Sequence, residues 1–93
     1  MFRCVVEMFG LPGEITELRQ VEIELKDGAT LRDVVAAIRR KIPALEGTAI
    51  RVGEDQLVEN YKFNVNGQFY YDDMGLKIQS GDRIALLVPI TGG

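Results

Sequence analysis

The sequence predicts an α+β fold in which one helix covers one face of a sheet of about five strands. Three observations carry this reading. Apolar and polar residues alternate with period two in Phe2 to Phe9, Val21 to Lys26 and Tyr61 to Val65, the pattern of strands with one buried face. Only one stretch has helical period: Leu31, Val34, Val35, Ile38 and Ile42 fall at i, i+3, i+4, i+7 and i+11. Asn66-Gly67 then separates two strand-like runs, and a type I′ hairpin turn needs positive φ at both central residues. One helix can bury only one face of a sheet. The order β-β-α-β-β-β therefore leaves the other face to water or to a partner.

In the first strand Phe2, Cys4, Val6 and Met8 share one side, and Arg3, Val5 and Glu7 the other. Cys4 thus reads as a small core residue rather than a reactive thiol. Gly10-Leu11-Pro12-Gly13 ends the strand. The polar connector Glu14 to Gln20 is either a long hairpin loop or an extension of the second strand. There Val21, Ile23 and Leu25 alternate with Glu22, Glu24 and Lys26, and Asp27-Gly28 turns the chain. Thr30 is placed to cap the helix, with Asp33 three residues on in the position of a capping-box acid. Arg39, Arg40 and Lys41 fall in its last turn, where they complement the helix dipole. Pro43 ends it, and Leu45 folds back onto the core. From Thr48 to Asn60 the pattern is weak: Ile50, Val52, Leu57 and Val58 offer short strand pieces, and Gly53-Glu54-Asp55 reads as a solvated turn. After the Asn-Gly turn, Gln68 to Tyr71 returns as a strand and Asp72-Asp73 turns again. Leu76 and Ile78 anchor a crossover, Ser80-Gly81-Asp82 is a turn, and Arg83 to Val88 is the last strand.

Composition excludes more than it suggests. With 93 residues, 46% hydrophobic and 27% charged, the chain reads as one folded domain, residues 1–93. A net charge of −3 disfavours binding to nucleic-acid phosphates. There is no histidine and only one cysteine, which removes His-dependent nucleophile systems, histidine-ligated metals and a thiolate zinc site. The chain is therefore poorly equipped for catalysis on its own, and no metal or bound cofactor is expected. Nothing reads as a signal segment or as a run of ~20 apolar residues. The expected location is cytoplasmic.

What remains is the end of the chain. Ile84, Leu86 and Val88 lie on one side of the last strand, Ala85 and Leu87 on the other. A strand apolar on both sides is central or lies under an interface. With Ile84, Leu86 and Val88 facing the helix, Leu87 points outward, and Phe69 is a second outward candidate, so the two either mark a docking patch or are covered by loops. Pro89 cannot donate a ladder hydrogen bond. Ile90, Thr91, Gly92 and Gly93 then form a slender tail, expected to be flexible from about residue 89. Glycine lacks Cβ, so such an end can thread a narrow channel and present its carboxylate inside a partner.

The run Ser80-Gly81-Asp82-Arg83-Ile84-Ala85-Leu86-Leu87-Val88-Pro89-Ile90-Thr91-Gly92-Gly93 resembles the ubiquitin-like sulfur carriers of the MoaD/ThiS family. The Val65-Asn66-Gly67 turn and the helix opening after Asp27-Gly28-Ala29-Thr30 are similar too. The likeness is greatest to the molybdopterin synthase small-subunit branch (MoaD type). It implies a β-grasp fold, a mixed sheet with the first and last strands adjacent and parallel at its centre. It also implies a chemistry. A ubiquitin-activating-type enzyme (MoeB type) adenylates the Gly93 carboxylate with Mg-ATP, and a sulfur donor protein converts it to a thiocarboxylate. The large synthase subunit (MoaE type) receives the tail and uses the sulfur for the molybdopterin dithiolene. By position, Gly92 and Gly93 are then the reactive tail, Pro89, Ile90 and Thr91 its stem, and Leu87 and Phe69 the docking patch.

The sequence departs from the family pattern in three places. Pro89 stands alone where two prolines are common. Glu7 occupies a first-strand position that is often apolar. Thr48 to Asn60 is longer than in compact members. The same tail could serve another sulfur pathway (thiamin, cysteine or tRNA thiolation) or a protein modifier joined through Gly93 to lysines. A plain β-grasp interaction module is a further alternative.

Overall fold

Alternation becomes strand wherever it is cleanest. β1 spans Phe2–Phe9 and β2 Gln20–Leu25, paired antiparallel, with Cys4, Val6, Met8, Val21, Ile23 and Leu25 all buried on one side. This is a computed structural model, and it describes residues 1–9, 20–70 and 73–87. The turn expected at 10–13, the connector up to residue 19, Tyr71, Asp72 and everything from Val88 to Gly93 lie outside the described residues.

The helix α1 runs Leu31–Lys41 and buries Leu31, Val34, Val35, Ala37 and Ile38. Its start is held twice. The Asp33 carboxylate accepts the Thr30 backbone N–H at 2.8 Å, so an aspartate serves where Glu or Gln is usual. The chain after β4 also crosses the helix start: Leu31 N–H donates to the Leu76 carbonyl and Arg32 N–H to the Met74 carbonyl, each at 3.0 Å. Amides at a helix start have no intrahelical acceptor, and here the crossover supplies two. Ile78 N–H returns a bond to the Ala29 carbonyl at 2.8 Å. Leu76 is only partly buried, and Met74 and Ile78 make the deeper contacts. Past Ile42 a single 3₁₀ turn, Pro43–Leu45, drives Leu45 to full burial, as expected.

The region from 48 to 60 departs from expectation. Ile50 and Leu57 are buried and joined by an isolated bridge, but Val52 is 74% exposed and no strand forms there. Asp55 is not simply solvated. Arg39 leaves the helix axis to hold this loop: its Nη1 donates to Asp55 Oδ1 at 2.8 Å, its Nε lies 3.3 Å from Glu46 Oε2, and its Nη2 donates to the Glu54 carbonyl. Arg39 does lie in the last turn of α1, and beyond the dipole it has partners in the loop that only the folded chain brings near.

β3 (Lys62–Val65) and β4 (Gln68–Tyr70) close the Asn-Gly hairpin, with Val65 opposite Gln68. Asn66 at φ 54° and Gly67 at φ 90° both adopt the left-handed backbone that the turn demands. β5 is Ile84–Leu87. Strand order is β2-β1-β5-β3-β4, with β1 and β5 parallel and every other pair antiparallel. The parallel central pair is the arrangement the resemblance implied. Phe63, Ile84 and Leu86 complete the core beneath α1.

Candidate functional site: the open face of the sheet

Because side chains alternate along a strand, whatever does not face α1 faces outward. The register then fixes which outward residues are neighbours. One row reads Glu7, Ala85, Asn64, Phe69, and the next reads Phe9, Leu87, Lys62. Neighbouring strands lie about 4.8 Å apart, so these rows are contiguous surface. Phe9 is 52%, Phe69 44% and Val5 42% exposed, while Leu87 and Ala85 are half-buried. The two predicted patch residues, Leu87 and Phe69, do share a face, one row and two strands apart.

Sequence reading missed Phe9 and Val5 as members of the patch. The signal was present, since period two puts both beside Glu7. Alternation sets Arg3, Val5, Glu7 and Phe9 on one side of β1, but it does not say that this side adjoins Leu87. Arg3 itself is drawn to the rim, with Glu22 and Glu24 at 3.6 and 3.5 Å.

At the edge of this face two sequence motifs meet. The Asn66 side-chain oxygen accepts the Arg83 N–H at 2.9 Å, and the Asn66 backbone N–H donates to the Arg83 carbonyl at 2.8 Å. Asn66 Nδ2 donates to Asp82 Oδ1 at 3.0 Å, and Asp82 Oδ2 caps the Gln79 N–H at 2.7 Å. The hairpin turn and the Gly-Asp turn thus brace the start of β5, the strand that leads to the C-terminal residues. Cys4 lies beneath, buried on the helix side. Burial pushes its thiol up, and the negative Asp82 adds to the shift, so at neutral pH it stays protonated and inert.

Among the described residues no three His, Cys, Asp or Glu side chains come together to hold a metal. No described helix is long and apolar enough to cross a membrane. The predicted tail residues Pro89, Ile90, Thr91, Gly92 and Gly93 lie outside the described residues.

The sequence profile of the ThiS family matches residues 6–93. The chain belongs to the ThiS family. This family of ubiquitin-like sulfur carriers and modifiers has small members that are not catalysts by themselves. Solved structures agree on the β-grasp fold. SAMP1 from Haloferax volcanii is 25% identical with a TM-score of 0.80, over 98% of this ThiS-family chain and 99% of its own. The putative molybdopterin converting factor subunit 1 from Pyrococcus furiosus is 20% identical with a TM-score of 0.74, over 97% and 100%. Subunits 1 and 2 of Molybdopterin-converting factor from Helicobacter pylori form a solved complex that matches at 21% identity with a TM-score of 0.61, over 99% and 100%. Among curated proteins none matches.

Proposed function

We propose that this chain is the sulfur-carrying small subunit of a molybdopterin synthase, with the Gly93 carboxylate as its working group. One observation supports this above the others. β5 carries Leu87 on the apolar open face and leads straight to the C-terminal residues, so a partner that covers the face is positioned to receive the tail. Ordering five tail residues costs about 5–10 kcal/mol of backbone entropy, and docking of Phe9, Leu87 and Phe69 offsets it.

The chemistry follows from what a carboxylate lacks. It is a poor electrophile, because its leaving group would be oxide. Attack of a Gly93 oxygen on the α-phosphorus of ATP releases pyrophosphate and leaves an acyl-adenylate. Hydrosulfide attacking the acyl carbon expels AMP and gives the thiocarboxylate directly. A persulfide on the donor protein instead expels AMP to leave an acyl disulfide, which a second thiol cleaves to the thiocarboxylate while the donor cysteine ends in a disulfide with that thiol. ATP and Mg²⁺ are bound by a MoeB-type adenylating enzyme. Sulfur comes from a donor protein, and a MoaE-type large subunit is the acceptor. Glycines 92 and 93 pass where a side chain would block the channel, and Pro89, Ile90 and Thr91 form the stem.

The test is mass spectrometry after incubation with an adenylating enzyme, Mg-ATP and a sulfur source. One oxygen-for-sulfur exchange at Gly93 is expected, followed by loss of the sulfur when a large subunit and its pterin substrate are added. An unchanged mass, under conditions that modify a known carrier, rejects the reading. The likeness to a small archaeal modifier protein favours one second reading, attachment through Gly93 to lysines. Isopeptide-linked conjugates in a cell extract, abolished by deleting Gly92 and Gly93, select it. A thiocarboxylate that supports thiamin, cysteine or tRNA thiolation instead moves the chain to another pathway.

A further inference from the structure

The open face also carries Lys62 and Asn64 on β3 and Glu22 and Glu24 on β2, the two acids held by Arg3. Glu7 is the acid that lies nearest the apolar residues of β1 and β5. It sits on β1 between Val5 and Phe9, the residues two before and two after it, and pairs in register with Ala85 on β5. Apolar side chains thus flank it along its strand and on the β5 side, and Gln20 lies opposite on β2. Arg3, the cation on its own strand, is committed to Glu22 and Glu24. Arg83 borders the same groove without forming an ion pair with it, and Glu7 has no ion-pair partner among the described residues. In the free protein this is harmless, because the carboxylate is exposed to water. Covering the face changes that. A carboxylate pressed against an apolar surface loses its hydration and gains nothing in return, a penalty large enough to prevent docking.

We propose that the partner docking on this face carries an arginine or lysine opposite Glu7, set among apolar side chains that meet Val5, Phe9 and Leu87, and that Glu7 selects this partner. The proposal rests on the docking reading above. A binding surface that is apolar at that point is rejected by the buried charge, and one that is acidic is repelled. Glu7 is thus a specificity determinant, not part of the sulfur chemistry.

The experiment uses the full chain and the protein that copurifies with it from its own host, measured by surface plasmon resonance over a range of salt. Glu7→Gln should weaken binding at least about tenfold, chiefly through faster dissociation, and Glu7→Lys should abolish it. Glu7→Leu should also weaken the cognate complex. Carbodiimide coupling should join Glu7 to a partner lysine, or fail while the Gln variant still dissociates faster, which identifies arginine. Each variant changes an exposed residue, and an unchanged thermal midpoint excludes misfolding. Binding that changes less than about twofold, or only in its association rate, places Glu7 at a wet rim and overturns the proposal. So does a Glu7→Leu variant that binds more tightly, a wild-type chain that retains nothing at low salt, or one that occupies this face with a second copy of itself. Equal, non-additive losses in Arg83→Gln and Glu7→Gln overturn it too, since Arg83 would then supply the charge. Failure of the sulfur exchange with Glu7-dependent binding intact rejects the carrier reading alone.

Discussion

Gly67 and Asn66 carry constraints that no neighbour could supply for them. Gly67 holds φ 90° with open space where a Cβ would stand, so its requirement is conformational rather than steric packing. Gly67→Ala should lower stability by about 1 kcal/mol through the left-handed backbone alone. Asn66→Ala should lower it by about 1–3 kcal/mol, because the turn conformation and two side-chain hydrogen bonds go together. Urea midpoints separate the two. Cys4 makes a pH prediction. Its folded thiol lies above the ordinary value, from burial first and Asp82 second. As pH rises past the ordinary thiol value near 8.5, the unfolded chain loses a proton that the folded chain keeps. Stability therefore falls with rising pH in that window. Cys4→Ala should flatten this part of the curve when unfolding is measured from pH 7 to 10, and identical slopes in both proteins reject the assignment. At neutral pH the thiol should resist alkylation until the protein is unfolded.

At the scale of elements, Arg39 stitches α1 to the loop after the 3₁₀ turn. Arg39→Ala removes a charge-assisted bond to Asp55, an ion pair to Glu46 and a bond to the Glu54 carbonyl. The expected loss is about 1–3 kcal/mol, with faster amide hydrogen exchange confined to residues 46–57. Exchange that rises evenly over the sheet would show instead that the loop and the core open as one unit. Elements with a strict period were legible beforehand: β1, β2, α1 and the β3–β4 hairpin rest on local rules of alternation, capping and turn conformation. The 48–60 region was not, because the Ile50–Leu57 bridge follows no period and the loop is held by Arg39, which reaches Asp55 across sixteen residues of chain.

At the scale of the whole molecule, the sheet separates stability from docking. Phe63 is fully buried under α1, whereas Phe69 faces outward. Phe63→Ala should cost about 3–5 kcal/mol, a large share of a small domain's stability. Phe69→Asp should leave the thermal midpoint nearly unchanged but remove partner binding measured by calorimetry. A variant of Phe69 that unfolds the protein, or binds normally, contradicts this division of labour.

The sequence by itself determined the kinds and order of the elements, the inward half of each strand, the missing catalytic and metal-binding side chains, and two of the outward apolar residues. These depend on neighbours a few positions away, where backbone geometry dictates which side chains share a side. Only the tertiary structure decided that Val5 and Phe9 join Leu87 and Phe69, that Glu7 has no ion-pair partner among the described residues, and that Arg39 turns to the loop. Those outcomes arise from strand register and from contacts between distant segments, which local periodicity does not encode.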